Sequence, residues 1–487
     1  MVRCVFESLS NIKINKDLSI LIAGRIAQIL LSLVALRVIT TLFTKDELGH
    51  YYLILSICFF FSYILLNPAA MYFSRHLVEW KKNELVLNAL MRFCIYLLMC
   101  CFVAIVFSVF IFSFLEYQEK FGIEEFIAVV VLSVLVSTLH RNVLTGINVL
   151  RSRLVFITAT VATLATGLMI ASAVAYFYEA KAVHWFYGII AAEIIALPFI
   201  AKYFLVGYKF YLKGLAVKDK SFEIINVIKF SMPILGTNIF LWGQLYFYRI
   251  IVDDQYGPDI LGVIGVGLAI STAVFAALEN LIIQYFYPIY LRRIQGVSKT
   301  VRTKAWNDMA NEIIPIYLLT GVFMLGTGKS LVGILVDEKF HSVYTFTLIA
   351  VGFEFFRTMT NLFNYALQTE YKTRLALMPY VSGVIVTLSL LLSIDFSQRV
   401  EGIVWVLLSG NALIFFYLCY NVRKIIKLRI SVNIKGLLLL SAPFLIFASL
   451  PKPDFSFVTN SIIVGVSSIY FLCAVFFLNR NRAGYDR

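Results

Sequence analysis

Glu354, Arg357, Asn361, Asn364 and Gln368 stand in one stretch, EFFRTMTNLFNYALQ, at spacings of three, four, three and four residues. On a helix that spacing puts all five on one face. The stretch lies inside an apolar segment, residues 342–369, and Arg357 is about fourteen residues from either end of it. At ~1.5 Å of rise per residue, Arg357 then sits near the mid-depth of a bilayer, beyond the reach of a snorkelling side chain. A charge at that depth must face protein or water. Glu354 and Arg357, one turn apart, can form a local ion pair that only helps the helix pack. Such a pair leaves the three amides without a role, whereas a stripe lining an aqueous cavity employs all five. Arg357 is then the expected counter-charge for an anion.

Other polar side chains also fall within apolar segments. Arg25, Gln28 and Ser32 share a face of the first segment, where snorkelling and substrate binding account for Arg25 equally well. Arg37 and Arg249 lie near segment ends, which favours snorkelling or pairing with nearby acids, and Asp253 and Asp254 follow Arg249 directly. Ser133, Ser137 and His140 form a short stripe beside Arg141; a lone histidine is more often hydrogen-bonded packing than a ligand. Glu193, and Glu279 beside Asn280 and Gln284, are acids at depth, able to take up a coupling proton because a buried carboxylate is costly to keep charged. Asn67 before Pro68 marks a helix kink.

The sequence holds no glycine-rich phosphate loop, no His or Cys pair at metal spacing and no hydrolase triad in polar context. No catalytic residue, metal ligand or cofactor is expected, and ATP hydrolysis is not. The seven cysteines, Cys4, Cys58, Cys94, Cys100, Cys101, Cys419 and Cys473, fall mostly inside apolar segments and read as small buried side chains.

The elements that must position these groups follow from composition. With 487 residues, 60% hydrophobic and 14% charged, the chain is an all-α, polytopic membrane protein whose apolar runs are each long enough to span a bilayer. About fourteen spans are expected, at residues 18–43, 50–73, 93–115, 126–147, 154–178, 185–201, 228–252, 260–291, 311–335, 342–369, 375–394, 402–421, 436–450 and 457–478, the sixth and thirteenth being short. Connections on the side of the termini carry 31 of the 42 Lys and Arg residues and the opposite connections 8. Both termini are therefore expected in the cytoplasm. The net charge of +14 reports this orientation, not nucleic-acid binding. Lys13 and Lys16 precede an apolar run without a small-residue cleavage site, so the first helix is expected to be retained.

The longest polar connection divides residues 1–201, six spans, from residues 228–421, six more, with a cytoplasmic linker at 202–227 and two additional helices in 422–487. The halves begin alike: Arg37 is followed by Gly49 in GHYYLILSI, and Arg249 by Gly262 in GVIGVGLAI. Six spans restore the starting direction, so this weak repeat is a parallel one.

Residues 228–293 carry Ser231 and Pro233 at the start of the seventh span, Arg249 at its outer end, and then a helix that opens at Gly262 and ends near Pro288. Together with LRVITTLFTKDELGHYYLILS and its Arg37 and Gly49, this pattern resembles the Wzx-type polysaccharide flippases of the multidrug/oligosaccharidyl-lipid/polysaccharide exporter superfamily. The acid pair after Arg249 departs from that pattern. The resemblance implies two six-helix bundles around a central cavity, a MATE-like arrangement, in a bacterial inner membrane. It implies transport of a polyprenyl-diphosphate-linked oligosaccharide for O-antigen or capsule synthesis, coupled to an ion gradient through alternating access. Its partners would be that lipid-linked oligosaccharide, membrane lipid, and the polymerase and chain-length proteins of the same pathway. A diphosphate and several sugars cannot cross hydrocarbon unaided, and basic groups, amides and hydroxyls at depth lower that barrier. Three alternatives stay open: a flippase for the peptidoglycan precursor, an ion-coupled exporter of amphipathic cations, which would need acids to dominate the cavity, and a structural membrane subunit. A lipid-linked sugar polymerase or ligase would carry a large outer loop, and every outer connection here is short.

Overall fold

The computed structural model describes residues 16–114, 117, 120–207, 223–449 and 456–483. Cys4, Arg3, Lys13, linker residues 208–222 with Lys209, Lys213, Lys218 and Lys220, Lys452 and residues 484–487 lie outside them. The described chain is all helix: α1 (Lys16–Leu42), α2 (Lys45–Phe61), α3 (Asn67–Lys82), α4 (Val86–Phe114), α5 (Ile123–Leu132), α6 (Thr138–Leu150), α7 (Arg153–Phe177) and α8 (Ala182–Leu205). There follow α9 (Ile224–Trp242), α10 (Tyr248–Ile294), α11 (Lys299–Leu335), α12 (Tyr344–Thr369), α13 (Leu377–Ser393), α14 (Glu401–Arg423), α15 (Ile434–Ser449) and α16 (Phe457–Ala483).

Local chemistry explains the breaks. Thr44 caps α2 by accepting from the Glu47 amide at 3.2 Å, with Asp46 and Glu47 in the first turn where the helix dipole favours acids. Within α10, Gly257 has a φ of 84°, which a side chain would resist, and Pro258 restarts the helix beyond it. This element is therefore two rods.

Over the described residues every stretch expected to span falls on helix, and the sixth is longer than expected, because the helix runs on through Ala182–His184 at one end and Lys202–Leu205 at the other. By length and apolarity, eleven described segments can cross a membrane; one of them, Ile224–Ile294, runs through 71 residues. The fourteen-span count is not reached by that measure, since α12 falls outside it and α15 has only 16 residues. Low apolarity in α12 reflects the polar stripe itself.

Helices α1 to α8 pack among themselves, as do α9 to α14, and the principal seam between the two groups runs between α2 and α10. It is closed by the two glycines of the repeat. A Cβ on Gly49 would lie 1.9 Å from the Pro258 carbonyl oxygen, and one on Gly262 2.1 Å from that of Lys45. The Tyr52 ring packs against Gly265 in the next turn, where a Cβ would stand 2.2 Å from it.

One apolar core runs through α1 to α8 and continues across this seam into Leu261, Ile270, Phe275, Leu331, Phe346 and Leu407. The opposite ends of the later helices, with Ile282, Trp306, Tyr317, Phe363 and Leu418, form a second core of their own. The main seam thus lies on the side of Lys45 and Gly257, the distal side, while toward the termini α3 and α9 meet through Tyr72 and Phe230.

The last two helices rest mainly on α11. The extended segment leading to them is clasped by two asparagines one turn apart on α11. Asn307 donates to the Lys427 carbonyl at 3.0 Å and accepts from the Arg429 amide at 2.7 Å. Asn311 donates to the Arg429 carbonyl at 3.1 Å and accepts from the Ser431 amide at 2.7 Å.

Candidate functional site

A cavity of about 760 Å³ opens between α2, α3 and α6, all within the first half of the chain. Its wall holds Arg75 and Arg141, the amides of Asn67 and Asn142, and the hydroxyls of Ser62, Tyr63, Ser74, Thr138 and Thr145, and it includes no Asp or Glu. Among the described residues no carboxylate lies within 4.0 Å of either arginine. Arg141 donates to the Ser137 carbonyl at 3.3 Å and reaches the Ser62 hydroxyl at 3.5 Å, while the rest of its guanidinium is open to the cavity. The Arg75 guanidinium stands 5.4 Å over the Phe230 ring of the other half. The Thr138 hydroxyl is buried, with no hydrogen-bond partner among the described residues.

Two π turns build this wall, Ser62–Leu66 between α2 and α3 and Ser133–Ser137 between α5 and α6. A π turn inserts one residue and rotates everything beyond it, and such turns concentrate at functional sites. In the first, Pro68 follows and cannot donate to the preceding turn. Carbonyls loosened there find other donors: Asn238 of α9 bonds the Tyr63 carbonyl and Tyr96 the Leu65 carbonyl, each at 2.7 Å. Asn67, where a kink was expected, directly follows this π turn, and it also lines the cavity.

Behind the second π turn, Ser137 donates its hydroxyl to Glu193 of α8, and His140 Nδ1 is 4.0 Å from the same carboxylate. Two residues named for different reasons from the sequence, His140 and Glu193, are brought together one layer behind the wall.

Toward the distal side, Phe59 and Tyr63 meet Tyr246, with ring centroids 4.6 and 5.7 Å apart, and close the cavity with an aromatic partition. Tyr246 lies in a third π turn, Gly243–Phe247. Beyond it Arg249 is held among the rings of Tyr52, Tyr246 and Tyr248, at 5.0, 5.2 and 5.8 Å. This corrects the expectation that a nearby acid pairs with Arg249: Asp253 is taken by Lys120 at 2.6 Å, one helical turn too far along to reach it. Arg37 likewise donates to the Val336 carbonyl instead of to an acid. Arg25 donates to Gln28 at 2.8 Å on the face they share, away from the cavity wall.

The stripe on α12 forms a separate network. Arg357 bonds Glu354 at 2.7 Å and Glu279 of α10 at 3.1 Å, with both carboxylates nearly or fully buried. Thr272 donates to Glu354 at 2.7 Å, Asn361 to Glu279 at 2.8 Å, and Asn364 to the Tyr380 hydroxyl at 3.0 Å. Gln368 is exposed. The expected single face is present, but it turns to the second carboxylate and to Tyr380, and none of its residues lines the cavity. Two carboxylates on one guanidinium leave Arg357 no positive charge to offer an anion.

Arg75, Asn142, Thr145 and Ser74 were not singled out from the sequence. Their signal is weak: Arg75, the one basic residue of the four, lies near the end of an apolar run, where Lys and Arg mark orientation.

No protein-family model matches the chain, and no curated protein does. Solved structures do match in fold. The lipid II flippase MurJ in an inward closed conformation superposes with a TM-score of 0.62 at 12% identity, covering 96% of this chain and 99% of that one. An inward-facing multidrug resistance MATE family transporter of the MOP superfamily gives 0.58 at 12% identity over 81% of this chain and 94% of its own. The eukaryotic MATE transporter AtDTX14 gives 0.55 at 12% identity over 84% and 95%. The chain therefore shares the all-helical, multi-pass fold of these structures.

Proposed function

We propose that this protein is a Wzx-type flippase that turns a polyprenyl-diphosphate-linked oligosaccharide from the cytoplasmic to the outer leaflet of a bacterial inner membrane, in the synthesis of a surface polysaccharide. The observation that carries this is the acid-free cavity holding Arg75 and Arg141 among amides and hydroxyls. Two guanidiniums suit a diphosphate, and the remaining groups match sugar hydroxyls. An exporter of amphipathic cations would need acids there. With both termini cytoplasmic, the cavity lies on the terminal side of the aromatic partition and admits the substrate from the side where it is made. Parting of the seam at Gly49 and Gly262 would then give access to the other leaflet, with Arg249 the next guanidinium on the path. Gradient coupling is assigned to the acids at depth, Glu193 and Glu279, the second of which shares its charge with Arg357.

The double variant Arg75→Gln with Arg141→Gln tests this in proteoliposomes carrying a polyprenyl-diphosphate oligosaccharide whose exposure is read by a membrane-impermeant lectin. Flipping should fall at least tenfold with protein level unchanged; an unchanged rate would remove the cavity from the mechanism. A second reading, transport of the peptidoglycan precursor, draws support from the 96% of this chain that the lipid II flippase covers, against 81% for the MATE transporter. The same assay run with lipid II as cargo distinguishes the two.

A further inference from the structure

The cavity wall and the buried carboxylate behind it share one residue. Ser137 presents its carbonyl to Arg141 at 3.3 Å and its hydroxyl to Glu193. Arg141 thus lies between the open cavity on one side and Glu193 on the other, while His140, next along the helix, is 4.0 Å from that carboxylate. The π turn Ser133–Ser137 brings these groups to the same level, with Thr138 left facing the cavity.

The other elements packed on α8 offer Glu193 no competing charge. The side chains of α7 carry none after Arg153 at its first position. From α2, Glu47 is bound to the Ala182 amide at the far end of α8, paired with His50, while Cys58 is the titratable group of α2 nearer to Arg141. Glu125 of α5 is met through its backbone carbonyl by Tyr187, again toward the far end. His140 and Arg141 are the ionisable groups that face Glu193 at its own level.

An anion entering the cavity draws the field of Arg141 toward itself and adds a like charge near Glu193. Both effects favour the protonated carboxylic acid. We propose that Glu193 takes up one proton from solvent when an anion fills the cavity, so that cargo and proton are bound together. This rests on the cavity being an anion site. The loaded site is then one negative charge lighter, which reduces the cost of carrying it through hydrocarbon, and Glu193 acts as a companion site instead of an exchange site for an opposing ion.

The linkage is reciprocal, so proton uptake on binding requires that binding strengthen as pH falls. Methanedisulfonate is a suitable probe for the purified full-length protein, because it mimics a diphosphate and does not itself titrate. Calorimetry between pH 5 and 8 should show affinity rising by up to about tenfold per unit fall in pH within the range where Glu193 titrates. Repeating it in buffers of different ionisation heat should give a proton uptake approaching one. Glu193→Gln should bind with the low-pH affinity throughout and take up no proton, whereas His140→Gln should keep the slope. A slope that survives in Glu193→Gln, or wild-type binding with no proton uptake, overturns the proposal while leaving the anion site standing. Absence of any binding by the wild type, at every pH, would overturn the anion site and the proposal with it.

Discussion

The network on α12 makes a prediction about the order of three substitutions. Arg357 is the one positive charge bound by Glu354 and Glu279, whose side chains are 1% and 10% exposed. Arg357→Ala leaves two buried carboxylates facing each other with no counter-charge. Breaking a buried pair in this way costs about 3–5 kcal/mol, and here the like charges add to it. Glu279→Gln differs in kind. The 2.7 Å bond from Arg357 to Glu354 survives, and a glutamine oxygen can still accept from Asn361. The cost is that of weakening hydrogen bonds, about 1–2 kcal/mol. Glu354→Gln should fall between, because Thr272 also depends on it. Adding Glu354→Gln to an Arg357→Gln variant should recover part of the loss. Thermal unfolding in detergent, followed by tryptophan fluorescence, reads the order directly. If Arg357→Ala proves as stable as Glu279→Gln yet transport stops, Arg357 has a free charge after all, and the anion site belongs on α12.

Ala at Gly49 or Gly262 should prop the distal seam apart, since each new methyl would stand about 2 Å from a carbonyl oxygen; in a cysteine-free background, thiol labelling at Ser56→Cys should rise at least tenfold, and unchanged labelling would mean the seam is not the closure. Arg302 grips Glu370 through two bonds of 2.8 and 2.9 Å and holds its carboxyl below the usual range. A depressed folded value contributes stability above the unfolded value, ~4.3, and loses it as pH falls through the folded one. Wild type should therefore exceed Glu370→Gln in thermal stability at pH 7 and converge with it in acid, and a gap that persists in acid would contradict this. Cysteines introduced at Ser298 and Gly257 should label only from the cytoplasm and only from outside, respectively; the reverse would invert the orientation. The double variant Glu193→Gln with Glu279→Gln should leave flipping insensitive to an imposed proton gradient, and retained sensitivity would exclude both residues from coupling.

Helix positions were legible because an apolar run long enough to span has little else it can be. The face of α12 was legible too: Arg357, Asn361 and Asn364 do point one way. Their partner was not, since Glu279 lies 82 residues before Asn361 and side-chain spacing says nothing about which helix lies opposite. The cavity was missed for a related reason. Arg141 sits near the end of an apolar run, where charge pattern alone reads it as an orientation signal, and only the π turn before it aims its guanidinium into the protein. Nothing local in SVLVS at 133–137 demands a π turn, whereas Asn67–Pro68 and Gly243 at least mark their own. Arg249 looked paired because acids follow it in sequence, but on a helix the nearest acid was claimed by Lys120.

The asparagine clasp on α11 has a mechanical consequence. Helix α11 has 37 residues, roughly 55 Å at ~1.5 Å each, and α15 and α16 are lashed to it while α16 leaves almost all its length to lipid. The pair therefore behaves as an outrigger. If α11 rocks by about 10°, simple leverage over that length moves its far end by roughly 10 Å, and the outrigger sweeps through the surrounding acyl chains with it. Drag from the bilayer then acts on α11 itself, so thickness and fluidity of the membrane would set how fast this half can swing.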